Sequence, residues 1–277
     1  MANPAQQRPA VGDDYVLATG VHGKERLHLL DRVYRDTTHR ALLAAGLAPG
    51  MRVVDIGCGV GDVTCWVAAR VGPNGHVTGL DASADQVGLA VENAAARGLA
   101  NADFTAADAY QTGLPRASFD IVFCRYLLCH LARVQDGLRE MHALLKPGGT
   151  LVCVEPDWAS VTSEPPSDEY RRFVEVSCAG GAMRGADFRI AVRVHSHLRD
   201  VGFRDINVHF EQPAYLSGEE KRFAEITMLE AAPAFVRAGL ITPDELARLA
   251  DALAAVAAND ASLVVQARVA VARATRA

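Results

Sequence analysis

Between Arg52 and Asp62 the chain passes from a β-branched apolar run, Val53-Val54-Asp55-Ile56, into glycine at every second position, Gly57, Gly59 and Gly61. A short run of this kind reads as a buried strand. Glycine lets the backbone adopt φ > 0 or come close to a ligand. The strand is therefore expected to end at Asp55-Ile56, the turn to run from Gly57 to Gly61, and a helix to start near Asp62-Val63-Thr64. The dinucleotide-binding turn, Gly-x-Gly-x-x-Gly, would need glycine at position 62. Asp62 stands there instead, and its carboxylate at a helix start would repel a pyrophosphate.

Beyond the glycines, strand and helix keep alternating, as a doubly wound sheet requires. Asp62 to Val71 reads as the first helix, and His76 to Leu80 as a second strand ending in Asp81. An acid there can accept both ribose hydroxyls of an adenosyl group. Ser83 has the chemistry of an N-cap for a helix from Ala84 to Arg97, with Gly98 as its stop. Ala102 to Ala109 reads as a third strand carrying a second acid, Asp108.

Asp55, Gly57, Gly59 and Gly61 resemble the acid-x-Gly-x-Gly-x-Gly motif of the class I S-adenosylmethionine-dependent methyltransferases. Ser118 to Arg125 is similar to the family's fourth-strand motif, and Leu145 to Val152 to its turn into the fifth strand. The resemblance implies an α/β fold, a Rossmann-like seven-stranded sheet with helices on both faces. It also implies an N-terminal helical lid and helical insertions after strands five and six. The sixth strand would be Phe203 to Phe210, and the seventh, Leu263 to Ala272, would lie antiparallel between the fifth and sixth. S-adenosyl-L-methionine is the cofactor it implies, held by Asp55, Gly57, Cys58, Gly59, Asp81, Ala82, Asp108, Ala109, Cys124 and Arg125. In the family the residue matching Asp108 bonds the adenine amino group, and the backbone N–H matching Ala109 meets the ring. Arg125 either positions the methionine carboxylate or caps the strand end. Tyr15 reads as a lid contact for cofactor or acceptor, and equally as a surface aromatic on an arm.

The motifs lie centrally with no linker on either side, so residues 1–277 read as one domain. Its parts are an arm and lid over 1–47, a cofactor-binding core over 48–155, and acceptor-pocket insertions over 156–188 and 217–259. The lid, Gly20 to Leu47, has apolar residues spaced for one or two amphipathic helices. A net charge of −5 argues against a nucleic-acid partner. The absence of an apolar run of ~18 residues or a signal-peptide layout argues against a membrane and for the cytoplasm. Six scattered cysteines without a Cys-x-x-Cys pair, and His195 and His197 two apart on a helix, argue against a metal. The arm could cover its own site or exchange with a neighbour in a homo-oligomer.

Both insertions are apolar and aromatic, with Trp158, Tyr170, Phe173, Phe223 and Phe235, and a Gly180-Gly181 stretch expected to be flexible. The acceptor partner is accordingly read as a small apolar or aromatic molecule, methylated on O, N or C in bacterial secondary metabolism. A step such as cyclisation, with the cofactor bound but not consumed, is the alternative. Candidates near the acceptor are His130 as general base or pocket floor, and Glu155 and Asp157 as catalytic carboxylates or solvated loop-end acids. Trp158 would stack on the acceptor or attract the sulfonium.

Overall fold

The computed structural model of the protein describes residues 21–277, so Tyr15 and the arm before it lie outside the described residues. The chain opens with helix α1 (Val21–Ala44), one continuous lid helix. There follow β1 (Arg52–Ile56), α2 (Asp62–Val71), β2 (His76–Asp81), α3 (Ala84–Ala96), β3 (Ala102–Ala106), β4 (Phe119–Arg125), α4 (Val134–Leu144) and β5 (Leu145–Asp157). The first insertion holds β6 (Thr162–Glu164) and α5 (Asp168–Ala182). After it come α6 (Val194–Val201), β7 (Arg204–Glu211) and β8 (Ala214–Tyr215). The second insertion holds α7 (Phe223–Arg237) and α8 (Pro243–Ala258), and β9 (Leu263–Val265) and β10 (Arg268–Thr275) close the chain.

The main sheet has the order β3-β2-β1-β4-β5-β10-β7. β10 is antiparallel to both its neighbours, and the pairs from β3 to β5 are parallel. Helices cover both faces, which is why Val53 to Ile56 and Ile121 to Cys124 are buried without alternation. Strand order reverses between β1 and β4, the place where open α/β sheets bind ligands beyond their carboxyl ends. Local chemistry fixes the helix starts. Ser83 Oγ accepts Gln86 N–H at 3.3 Å at the head of α3, as expected, and Thr242 Oγ1 accepts Glu245 N–H at 3.2 Å at the head of α8.

Three expectations are corrected. The run Leu263 to Val265 belongs to a second, three-stranded sheet, β6-β9-β8, and the seventh strand begins only at Arg268. The switch occurs at Gln266, whose N–H donates to Pro213 O and whose side-chain amide donates to Glu220 O, turning the chain out of one sheet and into the other. Gly180 and Gly181 are helical and buried in α5. A Cβ at Gly180 would stand 2.3 Å from the Phe235 ring, and one at Gly181 2.7 Å from the Phe188 ring, so these glycines serve close packing. The third strand stops at Ala106, and Asp108 sits beyond it in a turn, accepting Tyr110 N–H at 2.8 Å.

Candidate functional site

The glycine turn is held from below by β2. Gly57 and Cys58 N–H donate to Leu80 O at 2.7 and 2.8 Å. Gly59 N–H donates to Asp81 Oδ2 and Ser83 N–H to Asp81 Oδ1, both at 2.9 Å, so one carboxylate ties the turn to the following loop. Burial raises the Asp81 pKa and the surrounding N–H groups hold it back, the net shift being upward. Gly57, Gly59 and Gly61 all have positive φ, at 79°, 54° and 79°. The side chains nearest the first two are Leu127 after β4 and Leu27 on α1, so the lid lies directly over the turn.

Asp55 sits at the end of β1, 3% exposed, with Oδ2 accepting Thr64 Oγ1–H at 2.6 Å from α2; burial pushes its pKa up to about 6. Asp62 opens α2 and takes His28 of α1 at 2.6 Å, Asn93 and Arg97. Burial alone would raise the Asp62 pKa, but these partners lower it. Cys58 is buried beneath the turn, while Ala82, Ala109 and the exposed Asp108 line the outer ends of β2 and β3. Three carboxylates, Asp55, Asp62 and Asp81, thus surround a turn in which Gly57, Gly59 and Gly61 alternate with Cys58 and Val60. That set of acceptors fits a ligand that is cationic and carries hydroxyls, and it opposes one that carries phosphate.

Four of the expected contacts fall elsewhere. Cys124 is fully buried, its Sγ 3.8 Å from Glu155 Oε1. Arg125 turns to the lid, donating from Nη1 to Thr38 Oγ1 at 3.1 Å and pairing with Asp31 at 3.3 Å, so it fastens α1 to the end of β4. Glu155 is wholly buried. Its Oε1 accepts the N–H groups of Leu127 and Leu128 at 3.1 and 3.0 Å, and Oε2 accepts that of Cys129 at 3.1 Å. It is neither a solvated acid nor one that faces an acceptor; it shapes the segment after β4. Asp157, 6% exposed, pairs through Oδ2 with Arg268 of β10 at 2.8 Å, while its buried Oδ1 has no hydrogen-bond partner.

His130 and Trp158 are placed together. Half-buried His130 meets the Phe188 ring edge-on at 5.1 Å. Burial, and then the Arg26 charge, lowers its pKa to about 4, so it is neutral near pH 7. Trp158 is 6% exposed and packs on Phe188, Phe173 and Phe223 with ring centroids 5.5, 5.4 and 6.5 Å away. Two features escape a sequence reading. Arg26 of α1 pairs with Glu230 of α7 at 2.7 Å, nearly buried. Tyr126, at φ 54° just past β4, donates its hydroxyl hydrogen to Tyr34 of α1 at 2.8 Å, and Tyr34 donates on to Ala267 O. A tyrosine held at positive φ at a strand end marks a constrained position, and that is visible only in the backbone.

Residues 47–192, just over half of the chain, match a family model described as a methyltransferase domain. A demethylmenaquinone methyltransferase of Listeria monocytogenes is 35% identical over 118 residues, 40% of this chain and 50% of that enzyme. The chain thus spans about half the length of the curated relatives it matches first. A phosphoethanolamine N-methyltransferase of Triticum aestivum is 27% identical over 191 residues, 69% of this chain and 35% of that protein. Among solved structures, a Haemonchus contortus phosphoethanolamine N-methyltransferase in complex with S-adenosyl-L-methionine superposes with a TM-score of 0.52 at 18% identity. The match covers 96% of this chain and 54% of that one, a likeness of fold.

Proposed function

The chain belongs to the class I S-adenosylmethionine-dependent methyltransferases, and on that footing we propose that it methylates a small apolar or aromatic molecule enclosed by α1, α5 and α7. The observation that carries this reading is the aromatic cluster that the two insertions build after β5, where Trp158 packs on Phe173, Phe188 and Phe223. Bound at that turn, S-adenosylmethionine supplies an electrophilic methyl group on a sulfonium. Asp81 would take the ribose hydroxyls, Asp108 and the Ala109 N–H the adenine, and Gly57, Gly59, Asp55 and Ala82 would line the approach, with Tyr15 reaching in from the N-terminal segment.

The remaining work of these residues is positioning. Holding an acceptor in line with a methyl group contributes several kcal/mol to lowering the barrier. The apolar walls exclude water. His130, uncharged near neutral pH, would accept the acceptor's proton at a ring nitrogen. Its low basicity suits an acceptor whose proton is already acidic, since proton transfer is efficient when the two affinities are close. One domain, a cytoplasmic location and a place in bacterial secondary metabolism complete the reading. Among the described residues no helix is long and apolar enough to cross a membrane.

The test is to incubate the protein with S-adenosylmethionine tritiated on the methyl group and separate fractions of a bacterial lysate. Tritium in the organic-extractable small molecules is the expected result. Label confined to RNA or protein would sink the small-molecule reading, and cofactor binding with no S-adenosylhomocysteine formed would favour a non-methylating step.

A further inference from the structure

The chain makes one short helical turn after β4, Leu128–His130, and Leu127 stands at its cap position with no side chain able to receive the first N–H groups. Buried N–H groups at such an end need an acceptor from elsewhere. Glu155, near the end of β5, supplies it. Oε1 accepts from Leu127 at 3.1 Å and from Leu128 at 3.0 Å, and Oε2 accepts from Cys129 at 3.1 Å.

What this segment carries gives the arrangement its reach. At one end Leu127 lies against the first glycine after β1: a Cβ on Gly57 would meet Leu127 Cδ1 at 3.2 Å and Leu127 Cβ at 3.5 Å. At the other end His130 N–H donates to Leu127 O at 2.9 Å, and the His130 ring meets Phe188. Between them Cys129 O accepts Asp187 N–H at 2.8 Å, which ties in the first insertion. Upstream, Tyr126 at φ 54° donates its N–H to Val154 O at 2.9 Å. Glu155 thus holds the middle of a segment whose two ends face the glycine turn and the aromatic cluster.

We propose, resting on the reading that the glycine turn holds the cofactor, that Glu155 is a positioning residue for both halves of the site. Its carboxylate seats Leu127 against Gly57 and His130 against Phe188, and cofactor affinity depends on it through that backbone. The ionised form is the one that does this. The three N–H groups and the Cys124 thiol at 3.8 Å all offer a hydrogen, so a proton on Glu155 adds a donor among donors. Burial pushes the carboxyl up to about 7 against the pull of the N–H groups, so the change of form falls near neutral pH. The titratable groups facing it are Cys124 on β4, Tyr126 after that strand and Cys129 on the helical turn. All three are raised, Cys124 first by its hydrogen bond with Cys153 and the other two by burial, so none is charged there. Arg125 carries its charge away to Asp31.

The test compares the full chain, native and Glu155→Gln, by amide proton–nitrogen spectra and by S-adenosylhomocysteine calorimetry between about pH 6 and about pH 8. In the native protein the N–H signals of Leu127, Leu128, Cys129 and Gly57 are expected to move together through a step near pH 7 that Glu155→Gln lacks. The step of Asp55, at about 6, is common to both proteins. Glu155→Gln turns an amide NH2 toward an N–H, and at about pH 8 it should bind S-adenosylhomocysteine about tenfold more weakly than native protein. The gap should close toward about pH 6, where the native carboxyl is itself protonated. A carboxylate that only braced the frame would change the melting temperature and leave the two affinity profiles parallel. Parallel profiles, or a Gly57 signal that does not follow the other three, overturn the proposal. Where Glu155→Gln does not fold, the native titration decides alone. Failure of the native protein to bind S-adenosylhomocysteine overturns the reading of the glycine turn instead, and the spectra still decide whether Glu155 governs Gly57.

Discussion

Glu155→Gln and His130→Asn should tilt the pH profile of stability in opposite directions. Burial pushes the Glu155 carboxyl up to about 7, and the N–H groups of Leu128, Cys129 and Leu127 offset this only in part. The folded protein therefore holds this proton more tightly than the unfolded chain, whose carboxyl titrates near ~4.3. The Glu155 contribution falls as pH rises through that interval. His130, lowered to about 4 by burial and then by Arg26, behaves oppositely. An unfolded imidazole titrates near ~6.5, so stability from His130 is complete above that pH and is lost as pH falls toward 4. At ~1.4 kcal/mol per tenfold change in proton affinity, each group alone spans roughly 3 kcal/mol, with half-buried His130 somewhat less. Between pH ~4.5 and ~6.5 the two slopes nearly cancel in the native protein. Urea unfolding should then show Glu155→Gln gaining about 2 kcal/mol relative to the native protein as pH rises across that interval and His130→Asn losing a similar amount relative to it. Asp55, raised to about 6, is common to all three proteins and drops out of the differences. Parallel profiles for native protein and Glu155→Gln would refute the burial argument. A turnover loss of ~100-fold or more with an unaltered stability profile would return Glu155 to a proton-transfer role.

Asp81→Ala should weaken S-adenosylhomocysteine binding by about 1.5–3 kcal/mol, tenfold or more in Kd by calorimetry, because it removes a hydrogen-bonded carboxylate and releases Gly59 N–H. Arg125→Met leaves Asp31 with Arg35 alone, and should cost about 3 kcal/mol and raise hydrogen exchange along α1. Unchanged exchange would mean that the lid is held by other contacts. Gly181→Ala drives a methyl group into the Phe188 ring and should cost about 1–3 kcal/mol while shifting the fluorescence of Trp158, which stacks on that ring.

The cofactor half of the site was legible because its requirements are local. Alternate glycines, the acid at the end of β2 and the cap of α3 are each dictated within a few residues by what a backbone must do there, and all three stand where the sequence places them. Where the sequence misleads, it reports a residue's capacity without its neighbours. Gly180 and Gly181 permit flexibility, yet two aromatic rings make them packing positions. Leu263-Val264-Val265 does form a strand, but side-chain periodicity carries no information on which sheet it joins. Glu155 and Asp157 are acids at a strand end, as expected of a catalytic pair, and nothing local reveals that one is taken up by three N–H groups and the other by Arg268.

That contrast locates where specificity can change. The strand ends that look catalytic are already committed to holding the segment after β4 and the edge of β10, so altering them disturbs the frame before it alters the acceptor. The insertions contribute α5 and α7, while α1 is tied to the glycine turn through His28 and Asp62. Arg26 and Glu230 meet across 204 residues of sequence, and their pairing needs both the lid and the second insertion to be folded. Breaking the Arg26–Glu230 pair should therefore loosen the lid against the second insertion while leaving the contacts of Asp81 with the turn in place, so that stability and cofactor binding separate in variants at these positions.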